Sequence, residues 1–260
     1  MLLCPKCRSS LKREKNRYVC PHGHSYDIAR QGYTHLIIHS QKEGGDNKEM
    51  VHARTRFLEQ GYYRCLREKL AAIAADLKPS VIVDAGCGEG YYTEAVAGCC
   101  EKTYAFDMSK YALMKCARRS PRLHCFVSSI FDLPLSDHSI DLVMNVFAPF
   151  AADEFVRILK PGGYILRVEP GEHHLYELKE IVYDHVYLNQ SSPILDERFS
   201  LVREWKTDDV ISVEGQDMIE ALFQMTPYYY RSPKEGIQRL KKCHTLKTRI
   251  QFHIELYQKK

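Results

Sequence analysis

The chain has 260 residues, 45% apolar and 27% charged, which suits one large globular domain with a small module beside it. No run approaches the roughly 18 apolar residues of a membrane helix, and Met1 to Arg8 holds no signal-peptide core. A cytoplasmic protein with no membrane partner is therefore expected. The net charge of +4 is unevenly spread: residues 1–30 carry +5, residues 231–260 carry +7, and the stretch between them carries −8. Basic ends on an acidic body suit a polyanion-binding rim, or plain solvated surface charge.

The first stretch holds Cys4-x2-Cys7 and, after a twelve-residue gap, Cys20-x3-His24. Thiolates on a tight knuckle reach one tetrahedral ion together, and the second pair completes the shell. His22 is a rival fourth ligand, but the longer spacing to His24 lets the chain turn back onto the ion. Leu11 to Val19 between the pairs suits a hairpin, so the module reads as a zinc ribbon. It has too few apolar residues to fold unaided, and structural zinc would supply the missing stability. The remaining cysteines, Cys65, Cys87, Cys99, Cys100, Cys116, Cys125 and Cys243, show no paired spacing and read as small buried side chains.

Tyr26 to Ile38 reads as extended, with Tyr33, Leu36, Ile37 and Ile38 packing on the ribbon. The polar, glycine-containing residues 40–48 read as a linker. The domains expected are thus a ribbon over 1–39, the linker, and a second domain over 49–260. Met50, Ala53, Phe57 and Leu58 fit a helix from Glu49 to Glu59. Gly61 interrupts it, and a second helix runs from Tyr62-Tyr63 to about Leu77.

Val81-Ile82-Val83-Asp84-Ala85-Gly86-Cys87-Gly88-Glu89-Gly90 is a β-branched run ended by an acid, then glycines at every second position. That is a strand, a sharp turn and a helix start, where a backbone without Cβ atoms comes close to a ligand. A second acid, Asp107, closes the run from Lys102 to Phe106, where an acid would hold a ribose diol. Further strands are expected over Leu123–Val127, Ile140–Met144 and Tyr164–Val168, with a helix over 152–160 ended by Pro161-Gly162-Gly163. Thr248 to Leu256 alternates cleanly and reads as a closing antiparallel edge strand. Strands alternating with helices predict an α/β fold, a Rossmann-like parallel sheet wrapped on both faces.

The D-x-G-x-G-x-G turn with its acid-terminated second strand resembles the S-adenosylmethionine-dependent class I methyltransferases. In many relatives an acid four residues before Leu133-Pro134 holds the adenine amine, and here that position is Ser129. The ribbon ahead of the sheet, Gly61-Tyr62-Tyr63, Cys87 to Thr93 and Gln224-Met225-Thr226-Pro227 together resemble the RlmA-type methyltransferases of large-subunit (23S) rRNA. That resemblance implies methyl transfer to a guanine N1 in an rRNA hairpin, S-adenosylmethionine as cofactor and structural zinc on Cys4, Cys7, Cys20 and His24. It implies cofactor contacts from Tyr63, Gly88, Glu89 and His174, beside Asp84, Gly86, Gly90 and Asp107 of the turn and second strand. It also implies a homodimer clamping RNA between two ribbons. Asn145, after the fourth strand, stands where many nucleic-acid methyltransferases hold the target base; the other reading is a turn-forming Asn. The ribbon hairpin, with Lys12, Arg13, Lys15, Arg17 and Tyr18, would grip the RNA. The competing readings are a methyltransferase for a small molecule or another RNA, and an inactive zinc-ribbon RNA-binding protein.

Overall fold

A computed structural model describes residues 1–38, 45–190 and 192–260. The chain opens on β1 (Lys12–Glu14), β2 (Arg17–Val19) and β3 (Ser25–Asp27), an antiparallel three-stranded ribbon. β4 (Tyr33–His35) then leaves it and pairs in parallel with β7 (Leu123–Val127). Tyr33 and Ile37 accordingly pack with the β7 cluster, and Leu36 shares a cluster with the ribbon's Leu2, Leu11 and Tyr18. Most of the expected linker lies outside the described residues.

α1 (Lys48–Glu59) is capped by Asn47, whose side chain accepts from the Met50 N–H at 2.8 Å. Gly61, at φ 82°, supplies the left-handed corner to α2 (Arg64–Leu77). Then follow β5 (Val81–Ala85), α3 (Tyr91–Val96), β6 (Lys102–Asp107), α4 (Lys110–Arg119) and β7. β8 (Ile140–Val146), α5 (Ala152–Ile158) and β9 (Leu159–Pro170) continue the alternation, and α6 (Tyr176–Val182) leads to β10 (Phe199–Glu214). α7 (Gln216–Gln224), a 3-10 turn (Pro227–Tyr230), α8 (Lys234–Leu240) and β11 (Thr245–Lys259) complete the chain.

The large sheet has the order β10-β11-β9-β8-β5-β6-β7-β4, with β10 and β11 antiparallel to their neighbours' course. Its parallel strands are apolar on both faces. Ile82, Leu142, Met144 and Leu166 pack with Leu66 and Leu70 of α2, whereas Val83, Val143 and Ile165 pack with Phe155 and Ile158 of α5. The strand over Thr248–Leu256 was expected at the edge. It is the middle of β11, flanked by β9 and β10, and β10 is the edge strand instead. From β5 the chain winds outward to β6 and β7, and from β8 it winds the other way to β9. The crevice at the carboxyl ends of β5 and β8 is the switch point where such sheets take ligands.

The ribbon is fastened to this sheet. Leu3 N–H donates to the Pro134 carbonyl at 2.7 Å, Leu2 forms a bridge with Leu135, and Arg8 donates to the Leu133 carbonyl at 3.3 Å while pairing with Asp132. Tyr18 meets His124 of β7 at 3.3 Å.

Candidate active site and metal centre

At the switch point lies a cavity of about 690 Å³, within the roughly 300–1,000 Å³ usual for small-molecule sites. Tyr63, Asp84, Gly86, Gly88, Glu89, Asp107 and His174 all line it. Asp84, the penultimate residue of β5, is fully enclosed. Thr93 of α3 donates to its Oδ2 at 2.6 Å, and Oδ1 has no hydrogen-bond partner. Burial pushes its carboxyl pKa up to about 7. Glu89 is similarly placed: Arg119 and Thr55 hold Oε2, and Oε1 is buried without a partner. Arg119 also donates from Nε to the Glu89 carbonyl at 2.8 Å, so one guanidinium fixes both ends of this residue.

The three glycines do different work. All have positive φ, yet a Cβ on Gly86 would sit 2.5 Å from Ala148 Cβ, and one on Gly90 2.5 Å from Cys116 Sγ. Gly90, the N-cap of α3, therefore answers to packing with α4. A Cβ on Gly88 would meet only Arg54 Nη1, at 3.8 Å, so its bareness serves whatever fills the cavity. Asp107, ending β6, accepts from the Gly88 N–H at 2.8 Å and the Ser109 N–H at 2.7 Å, which ties the turn to the second strand. Ser129 also lines the cavity, its hydroxyl accepting from the Phe131 N–H at 3.2 Å.

On the far wall Tyr63 and His174 meet at 3.1 Å. Burial and the Lys179 ammonium lower the His174 pKa to about 3, so the ring is neutral, and burial keeps the Tyr63 phenol protonated. Phe147, just past β8, takes φ 54°, a costly backbone for a bulky residue, and stays 43% exposed at the cavity. Phe131 on the same rim is 61% exposed.

Asn145 behaves differently from its expected neighbours. It is buried, it does not line the cavity, and its amide donates to the Ala85 carbonyl at 3.3 Å and the Pro149 carbonyl at 3.0 Å. It ties the carboxyl end of β5 to the loop carrying Phe147. Its Oδ1 has no partner. Arg54, which reaches Asp46 and the Met225 carbonyl across the cavity, and Arg119 were missed. Nothing local in sequence ties either to the glycine turn.

In the ribbon, the thiols of Cys4, Cys7 and Cys20 and a ring nitrogen of His24 lie within 4.8 Å of one another. Cys7 and Cys20 sulfurs stand 3.7 Å apart, and tetrahedral zinc with bonds of about 2.3 Å would separate two sulfurs by about 3.8 Å. His24 Nδ1 lies 3.5 Å from the Cys4 sulfur and 3.4 Å from that of Cys20. His22 instead meets the Ser9 hydroxyl at 3.1 Å, outside the cluster. Backbone hydrogen bonding at Ser9 draws the Cys7 thiol pKa down to about 5, towards the thiolate a metal needs. The Tyr26 hydroxyl lies 3.2 Å from the Cys4 sulfur, a supporting donor that sequence spacing did not reveal.

The cavity also fits its cofactor chemically. S-adenosylmethionine carries an ammonium and a sulfonium against one carboxylate, and Asp84, Glu89, Asp107 and Asp46 outnumber Arg54 around the cavity. Two of those acids keep an oxygen free. Fold and site together define an S-adenosylmethionine-dependent methyltransferase with an N-terminal zinc ribbon.

The family model described as "Methyltransferase domain" matches residues 83–167, and the model described as "RlmA, N-terminal" matches residues 2–44. The chain is 39% identical to the 23S rRNA (guanine(748)-N(1))-methyltransferase of Streptomyces fradiae over 68% of its own length and 66% of that protein's. It is 36% identical to the "Putative 23S rRNA (guanine-N(1)-)-methyltransferase" of Micromonospora griseorubida, covering 79% of this chain and 77% of that one. The solved structure of YcgJ from Bacillus subtilis shares the fold at 14% identity, with a TM-score of 0.50 over 74% of this chain and 99% of that chain. The chain belongs to the 23S rRNA (guanine-N1)-methyltransferase family.

Proposed function

We propose that this protein transfers the methyl group of S-adenosylmethionine to N1 of a guanine presented by a hairpin of 23S rRNA. The observation that carries the reading is the fused arrangement itself. A methyl-donor cavity opens beside the half-exposed Phe147 and Phe131, and a basic ribbon is bolted to Leu133–Ser136 of the same loop whose Ser129, Ile130 and Phe131 line that cavity. Relatives named for this reaction match over most of the chain.

When bound, S-adenosylmethionine supplies an electrophilic methyl carbon on a good leaving group, so alignment is the main demand on the protein. Tyr63, Asp84, Gly86, Gly88, Glu89, Asp107 and His174 form the proposed cofactor cradle, and Gly90, expected among them, lies outside the cavity lining and serves the packing of the turn on α4. Guanine N1 lies on the pairing edge, so the base must be unstacked, and Phe147 offers it an aromatic face at the cavity mouth. Asn145 is proposed to act through that loop, holding Phe147 in its strained backbone by the two carbonyl contacts. Cys4, Cys7, Cys20 and His24 hold the zinc, making residues 1–39 a recognition module ahead of a catalytic domain over 49–260.

Lys12, Arg13, Lys15 and Arg17 are all exposed on the β1–β2 hairpin, as phosphate contacts require. Replacing them with alanine should weaken RNA binding and flatten its salt dependence without changing affinity for free cofactor. A homodimer that clamps the hairpin between two ribbons, working in the cytoplasm, completes the proposal. No helix among the described residues is long and apolar enough to cross a membrane.

The direct test is mass mapping of 23S rRNA from cells with and without the gene, together with in vitro methylation of the unmodified RNA. One guanine should gain a methyl group at N1 only where the protein is present. Transfer to a metabolite panel with none to the RNA would refute the proposal.

A further inference from the structure

The polar pair on the far wall of the cavity is wired in one direction. Gln251, in β11, donates its backbone N–H to Nδ1 of His174 at 3.1 Å. A ring nitrogen that accepts a hydrogen bond carries no proton, so the proton of the neutral imidazole sits on Nε2. Nε2 lies 3.1 Å from the Tyr63 oxygen, and the imidazole must be the donor there. The phenol's own hydrogen is thereby left over, and among the described residues Tyr63 has no second hydrogen-bond partner.

We infer that His174 is locked as an Nε2–H donor so that Tyr63 presents a one-way O–H donor to the carboxylate of S-adenosylmethionine. The inference rests on the cofactor reading of this cavity and adds its proton arrangement. The amino-acid end of that ligand needs acceptors for its ammonium and donors for its carboxylate, a short distance apart. The free oxygens of Asp84 and Glu89 are the acceptors. α1 carries both Thr55, which donates to Glu89 at 3.2 Å, and Phe57, whose ring packs edge-on against Tyr63 at 5.3 Å, so the phenol and Glu89 flank one helix beside the cavity. Arg54, the cavity's guanidinium, is already committed to Asp46 and the Met225 carbonyl.

The same wiring removes His174 and Tyr63 from the list of bases that accept the guanine proton. His174 is enclosed by Tyr63 at the entry to α2, by Phe147 beyond β8, by Phe252 of β11 and by Lys179 of α6. Lys179 is the charged group acting on it, and it opposes protonation. His174 is the positioning group, and Tyr63 is the cofactor contact that it orients.

Nitrogen-15 NMR of the full-length, zinc-loaded protein with labelled histidine tests the lock directly and without any ligand. The His174 ring should keep the neutral Nε2–H pattern from pH 8 down to pH 5. An Nδ1–H pattern, or an imidazolium in that range, would overturn the lock. Calorimetry then tests the acceptor. Tyr63→Phe, which keeps the ring packing, should lower affinity for S-adenosylmethionine by roughly 10- to 100-fold, as for a hydrogen bond to a charged group. Affinity for decarboxylated S-adenosylmethionine should stay within about twofold of the unmutated protein, on the same principle that only the deleted contact is lost. Equal losses for both ligands would overturn the carboxylate assignment. His174→Gln, whose amide can accept from Gln251 and donate to Tyr63, should retain most of the affinity, and His174→Leu, which leaves the Tyr63 O–H in place but unoriented, should fall between the parent and Tyr63→Phe. If the unmutated protein bound neither ligand, the cofactor reading would fall while the NMR pattern still decided the lock.

Discussion

Asp84 sits where two demands collide. The proposed cofactor role asks it to be charged beside a cationic ligand, yet burial raises its pKa to about 7. Below pH 4 the carboxyl is protonated folded or unfolded. Between there and about pH 7 only the unfolded chain has released the proton, so stability falls across that window and levels off above it, by roughly 4 kcal/mol at most. Asp84→Asn should remove that slope, giving a melting temperature that no longer declines between pH 5 and pH 7. Cofactor affinity should rise with pH through about 7 in the parent and stay flat and weak in the variant, as calorimetry at several pH values would show. The glycines make a second residue-scale test. Gly86→Ala puts a methyl group 2.5 Å from Ala148 and should lower the melting temperature sharply, whereas Gly88→Ala meets nothing closer than 3.8 Å. The latter should cost only the left-handed backbone, roughly 1–2 kcal/mol, while losing cofactor binding at least tenfold. The acid–glycine turn was legible in sequence because spacing alone reports a close backbone approach. Arg119 and Gln251 were not, since they reach Glu89 and His174 only through α4 and β11.

Among the elements, the loop after β7 has a double allegiance. Ser129, Ile130 and Phe131 line the cavity, and Leu133, Pro134 and Leu135 carry the ribbon. Arg8 is the knuckle residue after Cys7, held at φ 57°, and it reaches the Leu133 carbonyl and Asp132. Arg8→Ala should leave zinc content unchanged and weaken cofactor binding about two- to fivefold; because the ion pair is exposed, its Coulomb energy contributes little and the loss comes from loop position. Zinc analysis beside calorimetry checks both halves. β10 shows why one strand escaped the sequence. Its partly or wholly buried positions, Phe199, Trp205, Thr207, Ile211 and Val213, do alternate, but Arg203, Glu204, Lys206, Asp208 and Asp209 crowd the strand and Arg203 and Asp209 interrupt the apolar stripe, so its period is weak to read. Its charges also suit an edge, where they discourage pairing with another chain.

For the molecule as a whole, the zinc site lies within the ribbon, and the ribbon is packed onto the sheet as part of one body. The ribbon's Leu2, Leu11 and Tyr18 belong to the same buried cluster as Phe126, Leu133 and Phe155. Chelating the metal should therefore do more than unfold 30 residues. The backbone amides of Leu3 and Leu135 should lose hydrogen-exchange protection, and the melting temperature of the whole protein should drop. Exchange confined to residues 4–28 with an unchanged melting point would contradict that coupling.

Local chemistry determined much of this protein from sequence alone: four metal ligands by their spacing, a glycine turn by its missing Cβ atoms, and an α/β sheet by the alternation of apolar runs. Tertiary structure alone decided that β4 joins the large sheet, that β11 lies inside it, that Asn145 spends its amide on backbone carbonyls, and that His174 can only donate to Tyr63. Each of these depends on partners dozens of residues distant, and hydrophobic period carries no information about which distant group a polar atom will meet.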